Sequence, residues 1–288
     1  MTESKEANIN QKSIRIVTWN CHQGSTVFLN KLKKIVNWDT SKNADIYVIQ
    51  ECPKPNTKKI LELLKNLDLK CVGWAGHNNE KAGVGIFINL KKGYDITEPI
   101  YLPVPNVYSV FYEIGRGLNI FGVWVWDTKK EKYEDAFSRF LKEADKFLDH
   151  QCIIVGDLNL DVNAGHREKT LEIYDILRKK GLISAYHNYF STEPGKDIEF
   201  GTEKDMTYYL DQKIIWSDEH ETVWYEKSTH LDYVFVNENK IKRVEILNPD
   251  DWIYEKREWK RNTDGKWKHI AQDGKRSDHV PIVVDIWL

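Results

Sequence analysis

The chain has 288 residues, 42 lysines and arginines against 44 aspartates and glutamates, and a formal net charge of -2 at pH 7. This balance excludes a strongly basic nucleic-acid-coating protein and confines any cationic surface to a local patch. With 41% hydrophobic and 30% charged residues, the chain can bury one large core or two ordinary ones.

Residues 1–13 are polar and lack the apolar stretch of a signal peptide, so a disordered tail is expected ahead of a single domain over 14–288. Ile14 to Thr18 is a short, β-branched apolar run that reads as a buried strand and leads into Trp19-Asn20. Val27 to Trp38 places Phe28, Leu32, Ile35 and Val36 at helical spacing with lysines between them, and predicts a helix. Ile46 to Ile49 predicts a second strand ending in Gln50-Glu51, and Lys58 to Leu67 a second amphipathic helix. Strands follow at Gly83 to Asn89, Val107 to Glu113 and Leu118 to Trp126, then a helix over Asp135 to Asp149.

Cys152 to Val155 predicts a strand running into Gly156-Asp157-Leu158-Asn159, where the glycine is expected to permit a sharp turn. A helix over Lys169 to Lys180 and a strand over Leu231 to Val236 come next, and Ser277-Asp278-His279 immediately precedes a last strand, Val280 to Ile286. Strands and helices alternate without an internal repeat. The motifs that must meet lie at both ends of the chain, which argues for one domain. The four cysteines, Cys21, Cys52, Cys71 and Cys152, fall in or beside strands without zinc-like spacing and read as reduced, buried thiols. No run approaches membrane-spanning length, and a cytoplasmic monomer is expected.

Polar motifs recur at strand ends, where α/β folds place their chemistry. Taken singly, each has a structural reading. Gln50-Glu51 is a polar strand terminus, Asp157 to Asn159 an Asx turn, and His279 a packed imidazole. Taken together, carboxylates, carboxamides and one imidazole make a hard-metal site beside a general acid or base.

The order of these motifs resembles the endonuclease/exonuclease/phosphatase superfamily, which includes deoxyribonuclease I-like enzymes, exonuclease III-like abasic-site endonucleases, inositol polyphosphate 5-phosphatases and sphingomyelinases. Ala44-Asp45-Ile46, Ala82-Gly83-Val84-Gly85-Ile86 and Leu231-Asp232-Tyr233 extend the match to most of the chain. The resemblance implies an α/β (α+β) fold, a four-layer sandwich of two mixed β-sheets flanked by helices, and a metal-dependent hydrolase of phosphoester bonds. It implies magnesium, with manganese as a substitute, at Glu51 with Asn20 beside it and Asp278 near the metal. It gives Asp157 the attacking water, Asn159 the phosphate or water, and Asp232 the orientation of a phosphate-facing His279. One departure stands out. Where many relatives carry a phosphate-touching tyrosine or histidine followed three positions later by asparagine, this chain has Trp124 and Asp127, with Trp126 the alternative alignment.

Substrate choice is read from local charge. Between Tyr254 and Arg276 lie Lys256, Arg257, Lys260, Arg261, Lys266, Lys268, Lys275 and Arg276, interleaved with Trp259 and Trp267. Asp264-Gly265 is a hairpin turn signal, so two strands are expected to carry this patch into Ser277-Asp278-His279. Cations for phosphates and aromatics for stacking suit a nucleic acid, with Lys260, Arg261 and Trp267 as binding residues. The structural reading is a solvated ribbon with packed tryptophans. Thr207-Tyr208-Tyr209 resembles an aromatic segment of exonuclease III-like nucleases, whereas Thr229 stands where those relatives have a tryptophan. A nuclease on DNA or RNA is expected; the alternatives are a hydrolase of small phosphoesters such as inositol phosphates or nucleotides, and an inactive binding module of the same fold.

Overall fold

A computed structural model describes residues 12–22, 25–38, 43–115, 118–126, 131–149, 151–163, 166–192, 197–216, 221–253, 257–261, 267–271 and 277–288. In chain order the elements are β1 (Ser13–Asn20), α1 (Ser25–Asn37), β2 (Ile46–Cys52), α2 (Lys58–Asn66), β3 (Leu69–Gly76), β4 (Gly83–Asn89), β5 (Ile100–Tyr101), β6 (Val107–Gly115) and β7 (Leu118–Val125). There follow α3 (Tyr133–Ala144), β8 (Cys152–Asp157), α4 (Arg167–Lys179), β9 (Ile183–Ser184), α5 (Ala185–Tyr189), β10 (Tyr208–Trp216), β11 (Glu221–Thr229), β12 (Asp232–Val236), β13 (Ile241–Ile246), α6 (Pro249–Trp252), β14 (Arg257–Arg261), β15 (Trp267–Ala271) and β16 (Ile282–Trp287).

Two six-stranded sheets form the body, one in the order β13-β16-β1-β2-β4-β3 and the other β5-β6-β7-β8-β12-β9. Each is mixed: β1 and β2 run parallel in the first, β7 and β8 in the second, and the remaining pairs are antiparallel. The period-2 alternation of each strand sorts its side chains between two cores. Ile16, Val48 and Ile86 of the first sheet meet Ile120, Val155 and Val234 of the second in a central core. The opposite face of the first sheet, with Val17, Tyr47 and Ile49, packs on Phe28, Leu32 and Ile35 of α1 and Ile60, Leu63 and Leu64 of α2. The opposite face of the second sheet, with Phe121, Ile154 and Phe235, packs on Phe137 and Phe140 of α3 and Ile173 and Leu177 of α4. The layers are therefore helix, sheet, sheet, helix.

Close approach of the two sheets depends on small residues. A Cβ at Gly122 would lie 3.0 Å from both Val48 Cγ1 and Ile86 Cγ1. Gly156 departs from the expected turn. It lies inside β8 at φ +144, and a Cβ there would fall 1.9 Å from the Val123 carbonyl oxygen. Its role is to let β8 approach β7, while the chain turns only after Asp157.

Element ends shift by a residue or two where local chemistry dominates. Thr57 caps α2 by accepting from Ile60 N, so the helix starts at Lys58 as expected. The predicted Asp135 to Asp149 helix begins at Tyr133 and gives way to a 3₁₀ turn at Asp145–Phe147. β1 begins at Ser13, paired with Trp287, and Leu288 N donates to Lys12 O, so of the expected 1–13 tail, residues 12 and 13 join the sheet edge; residues 1–11 lie outside the described residues. β14 and β15 pair antiparallel with Arg261 opposite Trp267 and Lys260 opposite Lys268, at the place of the expected hairpin; its Asp264-Gly265 turn lies outside the described residues. All four cysteines are free. Among the described residues, no helix is long and apolar enough to cross a membrane.

Candidate active site

Strand direction brings the polar motifs to one end of the sandwich. β1 and β2 are parallel and end at Asn20 and Glu51, while β16 is antiparallel to β1 and begins just after His279. In the second sheet, β7 and β8 are parallel and pair Trp124 with Asp157, and antiparallel β12 pairs Asp232 with Asp157. Parity then aims the side chains. Asn20, Gln50, Trp124, Asp157 and Asp232 are in phase with the inward-facing Ile16, Val48, Ile120, Val155 and Val234. The site is thus the polar end of the central core. Its floor is Gln50, fully buried, whose amide donates to Thr18 Oγ1 at 3.0 Å.

Glu51 breaks this parity. By simple alternation it would point toward the α1–α2 layer, but the register slips between Ile49 and Cys52 and Glu51 sits at φ +54. That bulge turns its carboxylate toward the site, where Asn20 Nδ2 donates to Glu51 Oε1 at 3.1 Å and to Asp157 Oδ2 at 2.8 Å. Asn20 Oδ1 accepts from His22 N at 2.9 Å. Asn20, expected as a metal ligand, therefore bridges two carboxylates through its nitrogen. Across the loop, Asp278 Oδ1 lies 3.0 Å from His22 Nδ1. Although burial pushes the Asp278 carboxyl up, His22 and His279 hold it below its ordinary value.

Asp157 makes four polar contacts within the described residues: with Asn20 Nδ2 at 2.8 Å, with Asn159 N at 3.0 Å, with Asn159 Nδ2 at 3.2 Å, and with the His279 ring, whose Nε2 lies 3.9 Å from Asp157 Oδ2. 

Three of these contacts are hydrogen bonds from the two carboxamide residues, and the fourth is the charge contact with the imidazole. The Asx turn and the chemical role thus coexist, since Oδ1 shapes the loop while Oδ2 faces the site. Asn159 stands at φ +52 and also donates to Val125 O at 2.9 Å, which ties the loop to β7.

His279 Nδ1 meets Asp232 Oδ2 at 2.8 Å, with both side chains buried. Thr207 Oγ1 accepts from Leu231 N and Asp232 N at 2.9 and 3.1 Å and so fixes the aspartate. Ser277 Oγ accepts from His279 N at 3.0 Å and donates to Asn20 O at 2.5 Å, and Trp19 Nε1 donates to His279 O at 2.9 Å. Tyr208 packs on the imidazole with ring centroids 4.8 Å apart. Thr207, Ser277 and Trp19 are positioning residues whose roles sequence reasoning missed. All three lay within quoted motifs, but the motifs did not show that Thr207 Oγ1, Ser277 Oγ and Trp19 Nε1 would hold the backbone of Asp232 and His279.

Burial drives the Asp157 carboxyl far above its ordinary value, with Asp232 adding to the rise and His279, Asn20 and Asn159 opposing it. Burial alone would lower His279, but the Asp232 carboxylate, by charge and hydrogen bond, with Asp157 and Asp278, raises it strongly. A proton is therefore held between these groups. The donor set fits a hard divalent cation: Asp157, Asp232 and His279 bring ligand atoms within 4.8 Å of one another, and Asp232 Oδ1 is buried without a hydrogen-bond partner among the described residues. His279 Nδ1 is committed to Asp232, and the carboxylates are the harder donors of the set.

Of the other expected residues, Trp124 is buried and pairs with Asp157 across β7 and β8, whereas Trp126 is 38% exposed. Asp127 lies outside the described residues. Lys260, Arg261 and Trp267 lie on the paired strands β14 and β15, and their side chains lie outside the described residues.

The class that this fold and site define is matched by comparison with known proteins. The profile of the endonuclease/exonuclease/phosphatase family matches residues 17–279, so the chain belongs to that family, whose members are metal-dependent hydrolases acting on phosphoester bonds. No curated protein sequence matches the chain. Among solved structures, an AP endonuclease from Archaeoglobus fulgidus is similar at 15% identity and a TM-score of 0.61, covering 94% of this chain and 98% of that one. TDP2 from D. rerio, complexed with a single-strand DNA product, is similar at 12% identity and a TM-score of 0.53, covering 96% and 100%. The endonuclease domain of TRAS1, a telomere-specific non-LTR retrotransposon, is similar at 14% identity and a TM-score of 0.52, covering 96% and 99%. These likenesses are of fold.

Proposed function

We propose that this protein is a magnesium-dependent phosphodiesterase acting as a nuclease on DNA or RNA, with manganese able to substitute. The observation that carries the reading is the unbroken line of contacts Glu51, Asn20, Asp157, His279 and Asp232 along one end of the sandwich. Glu51 would hold the divalent cation with Asp278 nearby, and the cation would supply charge neutralisation at the phosphate and favour the ionised form of Asp157.

The chain's own residues do the rest. Asp157 Oδ2, held by Asn20 and Asn159, orients a water and takes its proton as the water oxygen attacks phosphorus in line with the leaving oxygen. His279, kept protonated by Asp232, donates a hydrogen bond to a phosphoryl oxygen as negative charge builds there. Asn159 holds the water or phosphate without adding like charge. Trp124 walls the site beside Asp157.

A polymeric substrate is supported by the cationic, tryptophan-bearing sequence of the β14–β15 hairpin and by the solved relatives, one of which holds a single-strand DNA product. The test is cleavage of single-stranded, duplex and plasmid substrates beside a small phosphodiester reporter, an inositol phosphate and a nucleotide. It is run with wild type and with a variant carrying serine at Lys260, Arg261, Lys266 and Lys268. The variant should bind nucleic acid more weakly and lose about 0.7 of a unit of salt slope per phosphate contact removed, with reporter turnover near normal. Unchanged affinity and slope would transfer the reading to a small phosphoester.

A further inference from the structure

His77 follows the last residue of β3 and takes no part in the reaction described above. Its ring is set by three others. Tyr108 lies 5.0 Å away at 71°, Trp124 at 5.6 Å and 89°, and Trp126 at 4.3 Å and 85°, so each meets it edge to face. The Tyr108 hydroxyl shares a 2.8 Å hydrogen bond with His77 Nδ1. Among the described residues, His77 Nε2 makes no hydrogen bond, and the ring is only partly buried.

The strand ladder carries this cluster to the reacting groups. Tyr108 pairs with Trp124 across β6 and β7, and Trp124 pairs with Asp157 across β7 and β8. From the other sheet, the Glu51 carboxylate acts electrostatically on the His77 ring, although burial is the larger effect and lowers its pKa. A ring held on three sides, with one polar atom uncommitted among the described residues and the Glu51 carboxylate near enough to act on it, is more than core packing requires. Trp124, at an inward position of β7, packs against His77.

We propose that His77 Nε2 donates a hydrogen bond to a nonbridging oxygen of the substrate phosphodiester, with Tyr108 as the residue that positions it. The inference rests on the phosphodiesterase reading and deepens it. With Tyr108 O–H donating to Nδ1, the neutral imidazole carries its proton on Nε2 and presents a donor. The phosphate contact would then come from β3 and β6, beside the position that Trp124 occupies. Trp126, 38% exposed against His77, walls the same side of the site.

Three measurements test this, each on the full chain with magnesium and a melting curve for every variant. His77→Ala should lower kcat/KM on a small phosphodiester reporter about 100-fold, mostly in kcat, as loss of one phosphate-facing donor does. His77→Gln, which keeps a donor amide, should recover part of that loss. Tyr108→Phe should lower kcat by a smaller factor and shift the imidazole ¹⁵N resonances of His77 toward a mixed tautomer, a change that a packing role would not produce. Dimethyl phosphate titrated into wild type should shift the His77 Nε2 resonance. If the protein hydrolyses no diester yet dimethyl phosphate shifts that resonance, the phosphodiesterase reading fails and the His77 contact stands. Wild-type kcat/KM in folded His77→Ala, or a His77 resonance unmoved by dimethyl phosphate, overturns the contact.

Discussion

Asp157 and His279 share one charge arrangement, so each is expected to be indispensable and the two to be non-additive. Asp157→Asn preserves the side chain's shape but removes the proton acceptor, and His279→Ala removes the donor held by Asp232. Each should lower kcat by roughly 10²- to 10⁴-fold with little loss of melting temperature, and the double variant should cost much less than the product of the two. Steady-state kinetics with thermal melts checks this, and near-wild-type turnover in either folded single variant would remove that residue from the reaction. These two residues and Asp232 were legible because each lies in a motif at the edge of an apolar run. His77 was not, because a lone polar residue between predicted elements says nothing until the strands are paired, and Thr207 was quoted only for the aromatic residues that follow it.

Glu51 shows what an element adds to a motif. Its motif was readable, but its direction depends on a bulge in β2 and a left-handed backbone, and neither leaves a glycine or proline in the sequence to mark it. A glutamate in that conformation costs on the order of 1 kcal/mol, which asparagine offsets in large part because its short amide can hydrogen-bond the local backbone. Glu51→Asn should therefore raise the free energy of unfolding by about 1 kcal/mol while lowering metal-dependent turnover at least about 100-fold. Denaturant titration beside the activity assay separates the two effects. A variant that is both less stable and fully active would contradict the role given to the bulge. Other elements escaped notice for simpler reasons. β3 mixes lysine, cysteine and glycine with its apolar residues, and β13 alternates weakly because its outer positions are charged. Gly156, legible as special, was special for a close approach to Val123 rather than for a turn.

For the whole molecule, the buried histidines around α5 predict the response of stability to acid. His230 is buried against Tyr186 and Tyr233 with Nδ1 on Asp205 O, and burial lowers its pKa from 6.5 to about 4. Burial would raise the Glu203 carboxyl, but hydrogen bonds from His187 and Gly201 N bring it down to about 2. Both folded values lie below the unfolded ones, so the unfolded chain binds more protons and stability falls as pH falls. The His230 contribution is complete above pH 6.5 and lost toward pH 4, worth about 3 kcal/mol at most, and the Glu203 contribution goes from pH 4.5 down to 2. Denaturation at a series of pH values should show this decline, and His230→Asn should flatten its upper part; an unchanged slope between pH 6.5 and 4 in that variant would assign the decline elsewhere.

The four-layer arrangement was readable only through the family resemblance that the motifs carry, whereas the meeting of β1 and β2 with β7 and β8 across a core closed by Gly122 was not, because it depends on which faces pair. That meeting is what joins Glu51 from one sheet to Asp157 from the other through Asn20. The most direct measurement is cleavage of an end-labelled single-stranded oligonucleotide by the purified protein in magnesium and in excess chelator, with Asp157→Asn alongside. Cleavage that requires magnesium, stops with chelator, returns on readdition and is absent in the variant is the predicted result. Cleavage that continues undiminished in chelator, or equally in Asp157→Asn, would contradict a metal-dependent phosphodiesterase built on these residues.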